Sequence, residues 1–153
     1  MLTKVGGLRD GVRYVQWSGY STAAVLAKTS VEVQKVVESI DRGQPVVLGL
    51  IQATNRSLKA QGRNHQVVCY GYRSDASGPL EFYICDPNEP PRASSNTPYE
   101  VILRCVADAE DSEFPYQVNR PHRADRWRGF FVVRYRPRQP NLDVINVCST
   151  DGL

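Results

Sequence analysis

Two residues stand where acid–base chemistry can be built. His65 opens the apolar run in NHQVVCYGY, and Asp86 closes the next such run, in FYICDPNEPP. Side chains alternate along a strand, so His65, Val67, Cys69 and Gly71 share one face, with Gln66, Val68, Tyr70 and Tyr72 on the other. If RSDASGPLE folds the chain back as a hairpin, Asp86 returns to the level of His65. A carboxylate beside an imidazole fixes its tautomer and stabilises its charged form, as a general base needs after taking a proton from a nucleophile. The same residues also serve as a histidine that begins a strand and an aspartate that opens an Asp-Pro turn, with no catalytic duty.

A sheet must position such a pair. Strand-like runs rich in β-branched and aromatic residues occur at Val46 to Ile51, Gln66 to Tyr72, Leu80 to Asp86, Tyr99 to Cys105 and Gly129 to Tyr135. Polar turn segments such as RSDASGP separate them, which favours antiparallel neighbours. Ahead of them TSVEVQKVVESIDRG predicts a helix. Thr29 and Glu32 have capping-box spacing, Val33, Val36, Val37 and Ile40 recur on one face, and Gly43 stands ready to end it before Pro45. TAAVLA, Thr22 to Ala27, fits either a short helix or an apolar connection. The polar loop from Gln52 to Arg63 leads straight to His65 and reads as a functional loop. The expected class is α+β, an N-terminal helix followed by a mainly antiparallel sheet in one domain spanning 1–153.

Composition narrows the function. With 153 residues, 41% of them hydrophobic and 23% charged, the chain resembles an ordinary globular protein. No apolar run of about 18 residues is present to span a membrane, and the first residues lack a secretory apolar core. A cytoplasmic protein, or a mature piece of a longer one, is expected. The net charge of +3 is unevenly spread: between Arg120 and Arg138 seven arginines face Asp125 alone. Such a run is usually a solvated face, and it lacks a nucleic-acid motif, so a nucleic-acid partner is not expected. Cys69, Cys85, Cys105 and Cys148 have no metal-ligand spacing and read as buried free thiols. No metal and no cofactor are expected.

NHQVVCYGY and FYICDPNEPP resemble the His and Asp blocks of the papain-like cysteine peptidase superfamily, in the branch related to bacteriocin-processing peptidases. IDRGQPVVLGLI and RGFFVVRYRP are also similar to that branch, so the resemblance runs from Val31 to Pro137. It implies a Cys-His-Asp triad, with His65 as general base and acid and Asp86 orienting it. The family's nucleophilic cysteine is expected near the start of a helix ahead of these blocks, with an oxyanion-hole glutamine a few residues upstream.

The chain departs from the pattern there, because no cysteine precedes Cys69. Cys69 lies about 13 Å along the strand from His65, too far for a nucleophile and its base. In QWSGYST, Gln16 and Ser21 are the substitutes on offer, but a serine lacks the low thiolate pKa that drives such enzymes. Trp17 reads as core and Ser21 or Thr22 as a helix cap.

The expectation is therefore the sheet-bearing half of a papain-like domain, or the C-terminal part of a larger one, without the helix for the nucleophile. It would be inactive alone, as a fragment or a pseudoenzyme. Two alternatives are an acyl-transfer enzyme of the same triad class completed by another segment, and a non-catalytic module binding through Arg120 to Arg138. The implied partners are a peptide or acyl substrate once completed, and a second chain or homodimer unless Leu2 to Ala27 packs over the sheet.

Overall fold

Ser21 opens a helix eight residues ahead of the start that the capping-box reading predicts. The computed structural model describes residues 8–76, 78–89, 101–106, 113–121 and 123–134. Within them α1 (Leu8–Ser18) and α2 (Thr22–Asp41) precede β1 (Val46–Ile51), and a short α3 (Leu58–Gln61) interrupts the polar loop before β2 (His65–Arg73). Then follow β3 (Glu81–Cys85), β4 (Val101–Cys105), β5 (Tyr116–Asn119), β6 (Ala124–Trp127) and β7 (Gly129–Val133). This is an α+β fold, helices first and an antiparallel sheet after. β5 and β6 are additions to the predicted strands.

The N-terminal helix ahead of a mainly antiparallel sheet is the order the sequence led us to expect. Ser21 Oγ accepts from Ala24 N, the usual duty of an N-cap hydroxyl. At the other end Gly43 has φ +73 and donates to Ile40 O, so it terminates the helix as its position suggested.

Thr29 and Glu32 do not cap anything. The buried line of α2 runs through Val25, Thr29, Glu32, Val36 and Ser39, spaced by four and three residues. Thr29 and Glu32 share that face because they are three apart, and the face lies on β7, the edge strand. Phe130 N donates to Thr29 Oγ1 (3.2 Å) and Val132 N to Glu32 Oε2 (2.7 Å), while Arg13 Nη1 donates to Val132 O (2.6 Å). Helix side chains therefore satisfy the open edge of the sheet, where unpaired backbone groups would otherwise remain.

The strand order is β6-β5-β4-β3-β2-β1-β7, every pair antiparallel. β6 and β7 lie at opposite edges, yet Arg128 alone joins them. Two peptide links span at most about 7.6 Å, so the sheet must curl until its edges nearly meet. The Phe130 ring on β7 accordingly stands edge-on to Phe82 on β3 (5.8 Å) and to Tyr116 on β5 (5.3 Å). Leu48, Leu50, Val67, Ile84, Leu103 and Val118 fill the same interior, against which Val33, Val36, Val37 and Ile40 of α2 pack. A second cluster places Tyr14 and Trp17 of α1 on Ile51, Phe131 and Val133.

Gly129 sets how closely helix and sheet approach. A Cβ on Gly129 would stand 2.2 Å from Thr29 Oγ1 and 2.8 Å from Val25 Cγ1, inside atoms of a buried helix face. Gly129→Ala should cost about 1–3 kcal/mol in urea unfolding. Gly11→Ala, where nothing lies within 4 Å on α1, should instead stabilise by roughly 0.5–1 kcal/mol. Equal effects at the two positions would contradict this packing.

Candidate functional site

Asn64 fixes the entry to β2. Its Oδ1 accepts from Gln52 N and Ala53 N, both at 3.0 Å, and its amide donates to Gln61 Oε1 (3.0 Å) and Ser18 Oγ (3.4 Å). One side chain thereby joins the end of β1, α3, α1 and the start of β2. The next residue, His65, pairs with Leu50 of β1, and Tyr14 Oη donates to its carbonyl at 3.2 Å. Burial holds the Tyr14 hydroxyl well above its usual range, so it stays a donor.

Val68 pairs with Cys85, so the strand that follows β2 delivers Asp86 back to the level of His65. His65 Nε2 and Asp86 Oδ1 are 2.7 Å apart. The same oxygen accepts from Asn88 N (2.9 Å) in the Asp-Pro-Asn turn, so the turn duty and the imidazole contact coexist. Asp86 Oδ2 accepts from Arg120 Nη2. Arg120 also donates to Asp125, and its Nε lies 3.0 Å from Glu89 Oε1 without hydrogen-bond alignment. The Asp86 side chain is fully buried and that of Arg120 is 3% exposed.

Burial raises the Asp86 carboxyl, but Arg120, the Asn88 amide and His65 together outweigh it and hold the group below its usual range. Asp86 is therefore an anion at neutral pH. An anion can only accept, so Nε2 carries the proton in the contact and Nδ1 is the ring nitrogen left for exchange. The Trp127 ring is stacked over His65, with centroids 6.3 Å apart and planes at 26°. Trp127 reaches His65 from β6 because the sheet is curled. His65 itself is 18% exposed, on a cleft of about 250 Å³. Gln52, Arg63, Asn64, Asn88, Arg123 and Trp127 contribute to its wall, and among the described residues no cysteine, serine or threonine lines it.

The other sequence candidates sit elsewhere. Gln16 and Ser21 are exposed and do not line the cleft. The loop between them is held at the same end of the sheet, since Arg128 donates to Tyr20 O (2.7 Å) and Ala53 O (3.0 Å). Of the cysteines, Cys69 is buried and donates to Gly71 O (3.4 Å), and burial pushes its thiol up to about 11. Cys85 and Cys105 are exposed, which corrects their reading as buried. Each occupies the last position of its strand, where the run no longer faces the core. Cys148 and His122 lie outside the described residues. Brief alkylation of the native protein should modify Cys85 and Cys105 and spare Cys69, read by peptide mass mapping. Rapid labelling of Cys69 would refute its placement.

The arginine run is also no continuous surface. Arg120 and Arg128 are buried in the fold, while Arg123, Arg126 and Arg134 are exposed; Arg136 and Arg138 lie outside the described residues. Arg120 and Trp127 are the site residues that sequence reasoning missed. Among the described residues no three His, Cys, Asp or Glu side chains converge as a metal site, and no helix is long and apolar enough to cross a membrane.

Helices packed on a curled antiparallel sheet, with a histidine and an aspartate at one end, agree with a papain-like cysteine peptidase superfamily domain. The model of the Peptidase_C39 like family matches residues 12–116, and the chain belongs to that family. No curated protein and no solved structure matches it.

Proposed function

We propose that this is a peptidase-like domain that holds peptide segments at the His65 cleft without hydrolysing them. The observation that carries the reading is the pairing of an ordered His65–Asp86 contact with a cleft wall on which the described residues place no thiol or hydroxyl group. In the triad scheme the imidazole removes a proton from an adjacent nucleophile, and Asp86 stabilises the imidazolium that results. Without a nucleophile beside Nδ1 the pair has no acyl group to transfer. Ser21, at the start of α2, is committed to Ala24 N and is a hydroxyl rather than a thiol.

What the cleft retains is recognition chemistry. Gln52 and Asn88 offer amide groups, Arg63 a cation, and Trp127 an aromatic wall, the mixture that suits an extended peptide backbone. Family membership favours a peptide as the ligand class. Fluorescence anisotropy with a pool of labelled peptides tests this. Saturable binding that falls about tenfold in Arg63→Glu is expected. Binding indifferent to Arg63→Glu and to His65→Ala would place the peptide elsewhere and overturn the proposal.

A further inference from the structure

A second cleft, of about 640 Å³, lies between α1, α2 and the far end of β7. Gly129 pairs with Ile51 near His65, whereas Val133 pairs with Val47 at the opposite end of β1. The cleft, which reaches Val132 and Arg134, is therefore separate from the His65 site.

Its floor is internally satisfied. Glu32 receives Lys35 Nζ at 2.6 Å and Arg13 Nη2 at 3.3 Å, and the Arg13 guanidinium lies 4.2 Å over the Phe131 ring. Its rim is not satisfied. Arg9 and Arg134 are exposed and have no ion-pair partner among the described residues. Asp10 is 3% exposed, and its Oδ1 accepts no hydrogen bond. Arg13 Nη1 stands 3.9 Å from that oxygen, too far to donate. A buried carboxylate oxygen with no donor is destabilising, so a donor that completes it binds with that advantage.

One wall thus asks for a donor, preferably cationic, and the rim for anions. Phosphate or a simple carboxylate answers the rim but sets its charge against Asp10. We propose that this cleft binds a small ligand carrying a free ammonium group beside carboxylates: an acidic amino acid or the free amino end of an acidic peptide. The ammonium donates to Asp10 Oδ1, and the carboxylates lie on Arg9 and Arg134. The volume falls in the range of ordinary small-ligand sites.

Calorimetric titration of the full chain at low salt tests the assignment, with triglutamate, N-acetyl-triglutamate, glutamate and inorganic phosphate as probes. Triglutamate should bind saturably, and acetylation of its amine should weaken binding tenfold or more. Arg134→Ala should weaken the free peptide several-fold, and Asp10→Asn should abolish the discrimination between free and acetylated forms. Glutamate binding as well as triglutamate would identify the amino acid as the ligand, and a large preference for triglutamate the peptide end. Should Asp10→Asn fail to fold, the acetylation contrast in the unmodified protein still decides. Equal affinity for both peptides, phosphate binding as tightly as triglutamate, or no saturable binding of any probe up to millimolar concentration would overturn the proposal.

Discussion

Arg120→Met should destabilise the protein by about 3–5 kcal/mol, the largest loss expected from any single substitution at the site. The methionine fills much of the same volume but leaves the fully buried Asp86 without its cation, and an uncompensated buried charge is what makes a broken internal ion pair so destabilising. Glu89 and Asp125 lose the same partner. Urea unfolding of Arg120→Met, Asp86→Asn and the double variant gives the coupling directly. The double variant should be more stable than the sum of the two single losses predicts, by about 1–3 kcal/mol. Additive losses would mean that the pair is not coupled.

Glu32→Ala should be the second large loss, about 2–4 kcal/mol, because it leaves Val132 N without an acceptor and Arg13 without its carboxylate. Glu32→Gln keeps an acceptor and should lose less. The same group carries a pH dependence. Burial raises the Glu32 carboxyl, but Lys35, the Val132 amide and Arg13 together bring it below its usual range, as happens at Asp86. Both carboxyls are depressed in the folded state, so the unfolded chain binds their protons first as pH falls. Their contribution is complete above the ordinary carboxylate range near pH 4 and is lost as pH drops through the lower folded values. Thermal midpoints should hold from neutral pH down to about 5 and then fall, more gently in Glu32→Gln. An unchanged acid slope in that variant would exclude Glu32 from the linkage.

Much of the sheet was legible because strand periodicity and turn chemistry are local signals. Val46 to Ile51 is a strand with its predicted bounds, and the strands at Gln66 to Tyr72 and Leu80 to Asp86 differ by one residue at each end, while Tyr99, Glu100 and Tyr135 of the other two runs lie outside the described residues. The His65–Asp86 proximity followed from a hairpin argument that needs only alternation and a short turn. β5 and β6 were not legible, because YQVN and ADRW are only four residues each and carry polar side chains. The roles of Arg120 and Trp127 depend on the curl of the sheet, a long-range consequence of joining opposite edges through Arg128. The composition of a run such as RPHRADRWRG does not say which arginines turn inward. Thr29 and Glu32 illustrate the same limit, since spacing of three signals a cap or a shared buried face, and only the neighbouring strand edge decides.

In the proposed function His65 and Asp86 form an ordered pair with no nucleophile to activate. The direct measurement is turnover of a fluorogenic peptide library by the full chain, beside Ser21→Ala and His65→Ala. No turnover above buffer is expected in any of the three, with the proteins folded. Turnover in the unmodified protein that disappears in both variants would contradict the proposal, and would make Ser21 a nucleophile served by His65.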